Sequence, residues 1–264
     1  MKAVNLSKRM ETVVNMVSPQ SFTIADVGCD HAYVSIALIQ RKKASKVIAM
    51  DVRTGPLDIA KKNVAEAGFS DTIDIRLGDG LEKLQPGEAD SIIIAGMGGL
   101  LMKGILERGI HILNVGEKAP TLILQPQSDL HEVRMFLQAH AYHIVCESML
   151  IEDGKYYTVI KVEPDNGNAH EAHDNRDCVQ TFAEKPYSEE EWVYGRCNLV
   201  TKNEVLLDFL EKEQKVLQQI LSKVEMSVQK SIDANEEIPD STKQRIESVK
   251  KEIACNAKAM QYYQ

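Results

Sequence analysis

The chain has 264 residues, 44% of them hydrophobic and 27% charged, with a formal net charge of −8. That is enough for one sizeable α/β domain and a smaller appendage, in the balance of an ordinary soluble globular protein. The opening Met1-Lys-Ala-Val-Asn-Leu-Ser-Lys-Arg has no apolar h-region, and no run approaches the roughly 20 apolar residues of a bilayer span, which argues against a secretory leader and a membrane protein.

The elements follow in chain order. Leu6, Met10, Val13, Val14 and Val17 recur at helical spacing. Phe22–Val27 reads as the first strand, followed by a helix to about Arg41. Lys46–Asp51 is a second strand ending in an acid. Gly55-Pro56 opens a helix and Gly68 closes it, with Pro in its tolerated first turn. Ile73–Leu77 is a third strand, ending at Gly78-Asp79-Gly80. Asp90–Ala95 is a fourth, whose Ile92-Ile93-Ile94 suits burial on both faces, ending at Gly96-Met97-Gly98-Gly99. A helix, a strand over Thr121–Gln125 and a helix over Asp129–Ala139 continue the alternation. His143–Glu147 and Tyr156–Val162, separated by an Asp153-Gly154 turn, finish as an antiparallel hairpin.

These units predict a Rossmann-like α/β fold with a seven-stranded sheet, the architecture of class I methyltransferases; a dehydrogenase domain differs from it only modestly. The expected division is a catalytic domain over 1–163, a polar linker over 164–187 and a helical domain over 188–264. In the last, Leu206, Leu210, Leu217, Leu221, Val224 and Val228 recur at helical spacing. After a break at Asp233–Asp240, so do Ile246, Val249, Ile253, Ala257 and Met260, which suggests an α-helical hairpin resembling a short coiled coil.

The five cysteines (Cys29, Cys146, Cys178, Cys197, Cys255) are odd in number and contain no C-x-x-C pair. That argues against a disulfide framework and a zinc site, and for a reducing, cytoplasmic compartment. His170 and His173 lie in a polar stretch where solvated side chains, not metal ligands, are expected, so no metal is assigned. Residues 164–264 carry 13 basic and 19 acidic side chains, whereas residues 1–60 carry 8 basic and 5 acidic. The early excess, with Arg41, Lys42, Lys43 and Lys46 at its centre, is either a phosphate-binding face or a solvated helix end.

The turn Ala25-Asp26-Val27-Gly28-Cys29-Asp30-His31 stands where a strand gives way to a helix, the place at which parallel sheets cradle nucleotide-like ligands. There is no G-x-G-x-x-G. Carboxylates flank the glycine instead and favour a cationic ligand over a pyrophosphate. S-adenosylmethionine, with its sulfonium and ammonium groups, fits that charge. Cofactor contacts are expected from Asp26, Gly28, Cys29, Asp30 and His31 on the first strand; Asp51 and Val52 on the second, the acid facing a ribose diol; Gly78, Asp79 and Gly80 on the third; and Ala95, Gly96 and Met97 on the fourth. The alternative is that these acids only cap helices.

The segments Ala25-Asp-Val-Gly-Cys-Asp-His-Ala-Tyr33, Gly78-Asp-Gly-Leu81, Ala95-Gly-Met-Gly-Gly99 and Leu124-Gln-Pro126 resemble the bacterial tRNA (adenine-22-N1)-methyltransferase family over nearly the whole chain. The resemblance implies a class I S-adenosylmethionine enzyme whose carboxy-terminal coiled-coil domain helps hold tRNA. Cys29 departs from the small hydroxyl residue expected at its position. The Asn/Asp-Pro-Pro-Tyr motif of exocyclic-amine methyltransferases is missing, in keeping with attack by the ring N1. Asp30 is the candidate catalytic residue, with His31 as helper. Arg9, Tyr33, Met97 and Gly98 are candidate substrate contacts, Arg9 toward a phosphate and Tyr33 or Met97 against a flipped base. Two readings compete: a methyltransferase of a protein or small molecule whose helical hairpin dimerises, and a nicotinamide dehydrogenase or non-catalytic nucleotide-binding module. The sequence leaves the oligomeric state open.

Overall fold

A computed structural model describes residues 3–19, 21–165 and 185–264. The chain divides into two compact units, Met1–Ala183 and Glu184–Gln264. Most of the expected linker 164–187, with His170, His173 and Cys178, lies outside the described residues.

In the first unit the order is α1 (Lys8–Met16), β1 (Thr23–Val27), α2 (Tyr33–Gln40), β2 (Lys46–Asp51), α3 (Thr54–Glu66), β3 (Ile73–Leu77), β4 (Ser91–Met97), α4 (Gly99–Arg108), α5 (Ile110–Leu113), β5 (Thr121–Pro126), α6 (Leu130–Ala139), β6 (Tyr142–Glu152) and β7 (Lys155–Pro164). The strands form one seven-stranded sheet in the order β3-β2-β1-β4-β5-β7-β6. β1 to β5 are parallel, and β7 runs antiparallel to both its neighbours. Strand order reverses between β1 and β4, the switch point outside which ligands bind in such sheets.

Alternation along the strands divides the core between the two faces. Ile92 and Ile94 pack with Ala25, Val27, Leu122 and Leu124 in one cluster that includes Met102 and Leu106 of α4 and Val133 and Leu137 of α6. Ile93 packs on the other face with Ile24, Val47 and Ile123, under Val13 and Val14 of α1, Ile36 of α2 and Leu57 and Ala60 of α3. All three isoleucines are fully buried. Each contributes about 1.5–3 kcal/mol by leaving water, which is why an unbroken apolar run makes a stable central strand.

The final hairpin is longer than its sequence signal. β6 begins at Tyr142 and continues past Glu147 to Glu152, because β7 supplies a partner at every step from Met149↔Thr158 to Glu152↔Lys155. Asp153 and Gly154 both take positive φ in the turn between them. Arg134 of α6 and Glu147 of β6 form an ion pair at 2.8 Å with both side chains out of water.

The second unit holds α7 (Glu189–Tyr194), α8 (Arg196–Val200), α9 (Glu204–Asp233) and α10 (Asp240–Gln261). The apolar periodicity does not single out α7 and α8, although Ser188-Glu-Glu-Glu191 forms the capping box that opens α7. The break between α9 and α10 falls where expected, with Pro239 at the α10 amino cap. Leu206, Leu210 and Leu217 of α9 are buried, with Val249, Cys255, Asn256 and Ala259 of α10. Of the expected stripe, Leu221, Val224 and Val228 of α9 and Ile246, Ile253, Ala257 and Met260 of α10 are only partly covered. Asn256 takes its place there by donating to Leu210 O and Glu213 Oε2, both at 3.0 Å. α7 and α8 are joined by a buried Glu191–Arg196 pair at 2.9 Å, and Tyr262 donates to Glu191 from α10's end.

Among the described residues, Cys29 and Cys255 are buried free thiols. Among the described residues no helix is long and apolar enough to cross a membrane.

Candidate active site

The carboxyl ends of β1 to β4 open on one cleft of about 610 Å³. It collects Asp26, Gly28, Cys29, Asp30 and His31 after β1; Asp51 and Val52 after β2; Gly78, Asp79 and Gly80 after β3; and Ala95, Gly96 and Met97 at β4. Arg9 and Tyr33 also line it. Gly98 does not: as the residue before α4 it faces Ser128, whose hydroxyl accepts from Gly99 N at 3.2 Å. The cleft also has walls that sequence reasoning missed, among them Asn5, Ser7 and Met10 around the start of α1, Arg53, and Leu101 and Ile105 of α4.

The first turn is held from β2. Gly28 N and Cys29 N donate to Met50 O at 2.8 and 2.9 Å. Gly28 has φ +73°, and a Cβ added there stands 2.3 Å from Met97 Cε. The left-handed backbone favours glycine here, and the flexible end of Met97 packs over the space that its missing Cβ leaves. Asp30 and Ala32 are left-handed as well, so this turn coils more tightly than one glycine announces.

The acids differ in environment. Asp51, 5% exposed, accepts from Asp30 N on Oδ2 (3.2 Å) and from Arg53 N on Oδ1 (2.9 Å), tying the two turns together. Asp26, 4% exposed, accepts from the Ser35 hydroxyl at 2.6 Å. Burial pushes its carboxyl up to about 6; the Ser35 bond opposes this and the Asp51 charge adds to it. Burial, with the carboxylates of Asp26, Asp51 and Asp30, drives the Cys29 thiol up too, so it stays protonated and unreactive. Asp30 is the open acid: its side chain is 59% exposed, 3.6 Å from Arg53 Nη2 and 3.7 Å from His31 Nδ1. The His31 ring stands edge-on to Tyr33, with centroids 6.0 Å apart. Asp79 meets Arg108 of α4 at 3.4 Å.

Arg9 reaches the cleft from α1 and is partnered within the protein. Its backbone N–H donates to Glu152 Oε1 at 2.9 Å, its Nε lies 3.6 Å from Glu152 Oε2, and its Nη1 donates to Gln125 Oε1 at 3.1 Å. The guanidinium also lies over the Tyr157 ring, 4.9 Å from its centre. The basic cluster at 41–46 is elsewhere. Arg41 pairs with Glu11, Lys43 donates to Val17 O, and Lys46 starts β2, at the amino ends of the strands and so away from the cleft.

A sheet of this order, with a glycine turn after β1 and buried acids closing β1 and β2, defines a class I methyltransferase. Residues 6–160 match the family model described as a methyltransferase domain. A tRNA (adenine(22)-N(1))-methyltransferase of Bacillus subtilis (strain 168) is 41% identical over 169 residues, 64% of this chain and 69% of that one. The chain belongs to the methyltransferase-domain family and, within it, to the tRNA (adenine(22)-N(1))-methyltransferases. The crystal structure of the B. subtilis m1A22 tRNA methyltransferase is similar with a TM-score of 0.79 at 30% identity, covering 97% of this chain and 99% of that one. A putative tRNA (m1A22) methyltransferase of Streptococcus pneumoniae, solved in complex with S-adenosyl-L-methionine, gives 0.76 at 29% identity, with 97% and 99% covered. The dehydrogenase alternative is set aside by this membership.

Proposed function

We propose that the protein transfers a methyl group from S-adenosylmethionine to N1 of adenine 22 in the D-arm region of tRNA. The observation that carries this is the single cleft in which acidic turns of β1 to β3 face the small residues Ala95 and Gly96 of β4. Relatives with that named activity, 41% identical in one case, support it.

The residues present suit that cofactor. Asp51 accepts from Arg53 N and Nε on Oδ1 and from Asp30 N on Oδ2, and Oδ2 keeps a lone pair for a ribose hydroxyl. Val52, 61% exposed beside it, offers an apolar surface for a flat base. Asp26, with its carboxyl at about 6, is ionised at neutral pH and, with Asp30, makes the turn anionic for a cationic ligand. The volume lies within the range of small-molecule sites. When bound, S-adenosylmethionine supplies an electrophilic methyl group on a sulfonium sulfur.

Adenine N1 carries an in-plane lone pair, so the protein's task is alignment at roughly 3 Å and accommodation of charge. The N1–CH₃ bond forms as the C–S bond breaks, the bonding pair returns to sulfur, and positive charge passes to the adenine ring. Asp30, the exposed carboxylate of the turn, stabilises that charge or takes a proton from the exocyclic amine, and His31 beside it orients the carboxylate. Tyr33 and Met97 pack against the flipped base. The second unit helps hold the tRNA, and a tRNA substrate fits a cytoplasmic protein.

The test is transfer of labelled methyl from S-adenosylmethionine to tRNA transcripts in which each candidate adenine is replaced in turn. Labelling should vanish only when adenine 22 is lost. Labelling that survives its replacement refutes the site, and calorimetric binding of NAD without binding of S-adenosylhomocysteine refutes the cofactor.

A further inference from the structure

We propose that Gln125 is a positioning residue for methyl transfer, setting the end of β4 and the start of α1 against each other through one carbonyl oxygen. The assignment rests on the reading of the cleft as a tRNA methyltransferase site.

Gln125 is fully buried, near the end of a strand that otherwise reads Leu122-Ile123-Leu124. An amide in such company is tolerated only when its polar atoms are bonded. Its oxygen accepts from Gly96 N and from Arg9 Nη1, both at 3.1 Å, and its Nε2 donates to Pro126 O, also at 3.1 Å. Two donors on one side and a carbonyl on the other leave the amide a single orientation.

Both donors belong to cleft walls. Gly96 is the extra residue where pairing slips from Ala95↔Gln125 to Met97↔Pro126. It takes φ +78°, and its N–H would lack a ladder partner without the glutamine. The placement of Gly96 sets that of Met97, whose methyl lies over Gly28. Arg9 is held from its far side by Glu152 and Tyr157. Gln125 does not itself line the cleft. It acts through Gly96 and Arg9, fixing where the adenine can stand relative to the transferred methyl. The cofactor acids hang from β1 to β3 and do not depend on it.

The test compares Gln125→Met, of similar length but without the bonds, with Gln125→Glu, which keeps both accepted bonds and, when protonated, the donation to Pro126 O, so that its rescue is read at the acidic end of the activity range. An alignment error near 1 Å predicts that Gln125→Met lowers kcat about tenfold to a hundredfold. The tRNA KM and the S-adenosylhomocysteine dissociation constant should stay within about threefold of wild type. Gln125→Glu should recover most of the lost kcat, a rescue that a merely space-filling role would not give. Should Gln125→Met not fold, Gln125→Asn, which withdraws the oxygen by one methylene, is read the same way. Wild-type kcat in the variant, or a loss of cofactor affinity equal to the loss of kcat, overturns the assignment. A wild-type protein that leaves tRNA unmethylated would instead overturn the reading on which it rests.

Discussion

Asp26→Asn tests whether the β1 turn keeps a charge that the fold would do better without. Burial raises the Asp26 carboxyl from 3.8 to about 6. The folded value lies above the unfolded one, so below about pH 4 both states hold the proton and the group costs nothing. As pH rises toward 6 the unfolded chain releases its proton first, and stability falls. At about 1.36 kcal/mol per unit, the gap between 3.8 and about 6 comes to about 3 kcal/mol, fully developed by neutral pH. Asparagine retains an acceptor for the Ser35 hydroxyl but does not titrate. Relative to wild type, Asp26→Asn should therefore gain about 3 kcal/mol between pH 4 and 7, or about 6–12 °C in Tm for a unit of this size. Paired thermal melts across that range give the measurement. Any hydrogen-bond penalty of the new amide is independent of pH and shifts the whole curve without changing its slope. Glu11 and Glu88, held below the usual carboxylate range by the hydrogen bonds of Arg41 and Arg76, titrate in both proteins and drop out of the difference. A difference that stays flat with pH refutes the argument. Calorimetry should show the cost of that gain: weaker binding of S-adenosylhomocysteine, whose ammonium loses an anionic neighbour.

Gly99→Ala places a Cβ 2.2 Å from the Ser128 carbonyl oxygen, so backbone must move, whereas Gly98→Ala meets nothing nearer than 3.4 Å. The first should lose about 1–3 kcal/mol and the second stay near wild type; equal melting temperatures would refute the packing. Asp30→Asn, which suits the left-handed backbone at that position, should lower kcat more than it lowers S-adenosylhomocysteine affinity. Parallel losses in calorimetry and turnover would make Asp30 a cofactor contact only. A chain ending at Ala183 should still bind S-adenosylhomocysteine and lose tRNA affinity in a filter-binding assay. Unchanged tRNA affinity would favour a dimerising role for the helical pair.

The parallel strands could be read from the chain because strands buried on both faces carry unbroken apolar runs, as Ile92–Ile94 does, and the acid-and-glycine ends of β1 to β3 adjoin those runs directly. The outer hairpin was harder. Ser148–Glu152 shows little alternation, and β6 extends there because β7 offers bonds. α7 and α8 are short, and Ala32 takes a left-handed conformation that no propensity for alanine suggests. The walls of the cleft were hidden by sequence distance, since Arg9 meets Gln125 and Glu152 across separations of 116 and 143 residues. One signal was available: a glutamine ending a run of Leu-Ile-Leu is a polar side chain placed for burial.

The clamp on Arg9 bears on how the enzyme comes into being during its own synthesis. Helix α1 precedes every strand of the sheet along the chain, yet Glu152 and Tyr157, which hold its arginine, belong to the last hairpin. Contacts this far apart form late, after the closure of a long loop. The turns of β1 to β3 can pair while translation continues, but the wall formed by Asn5–Met10 waits for residue 157. The cleft therefore closes on its α1 side only when the last strands of the sheet have paired.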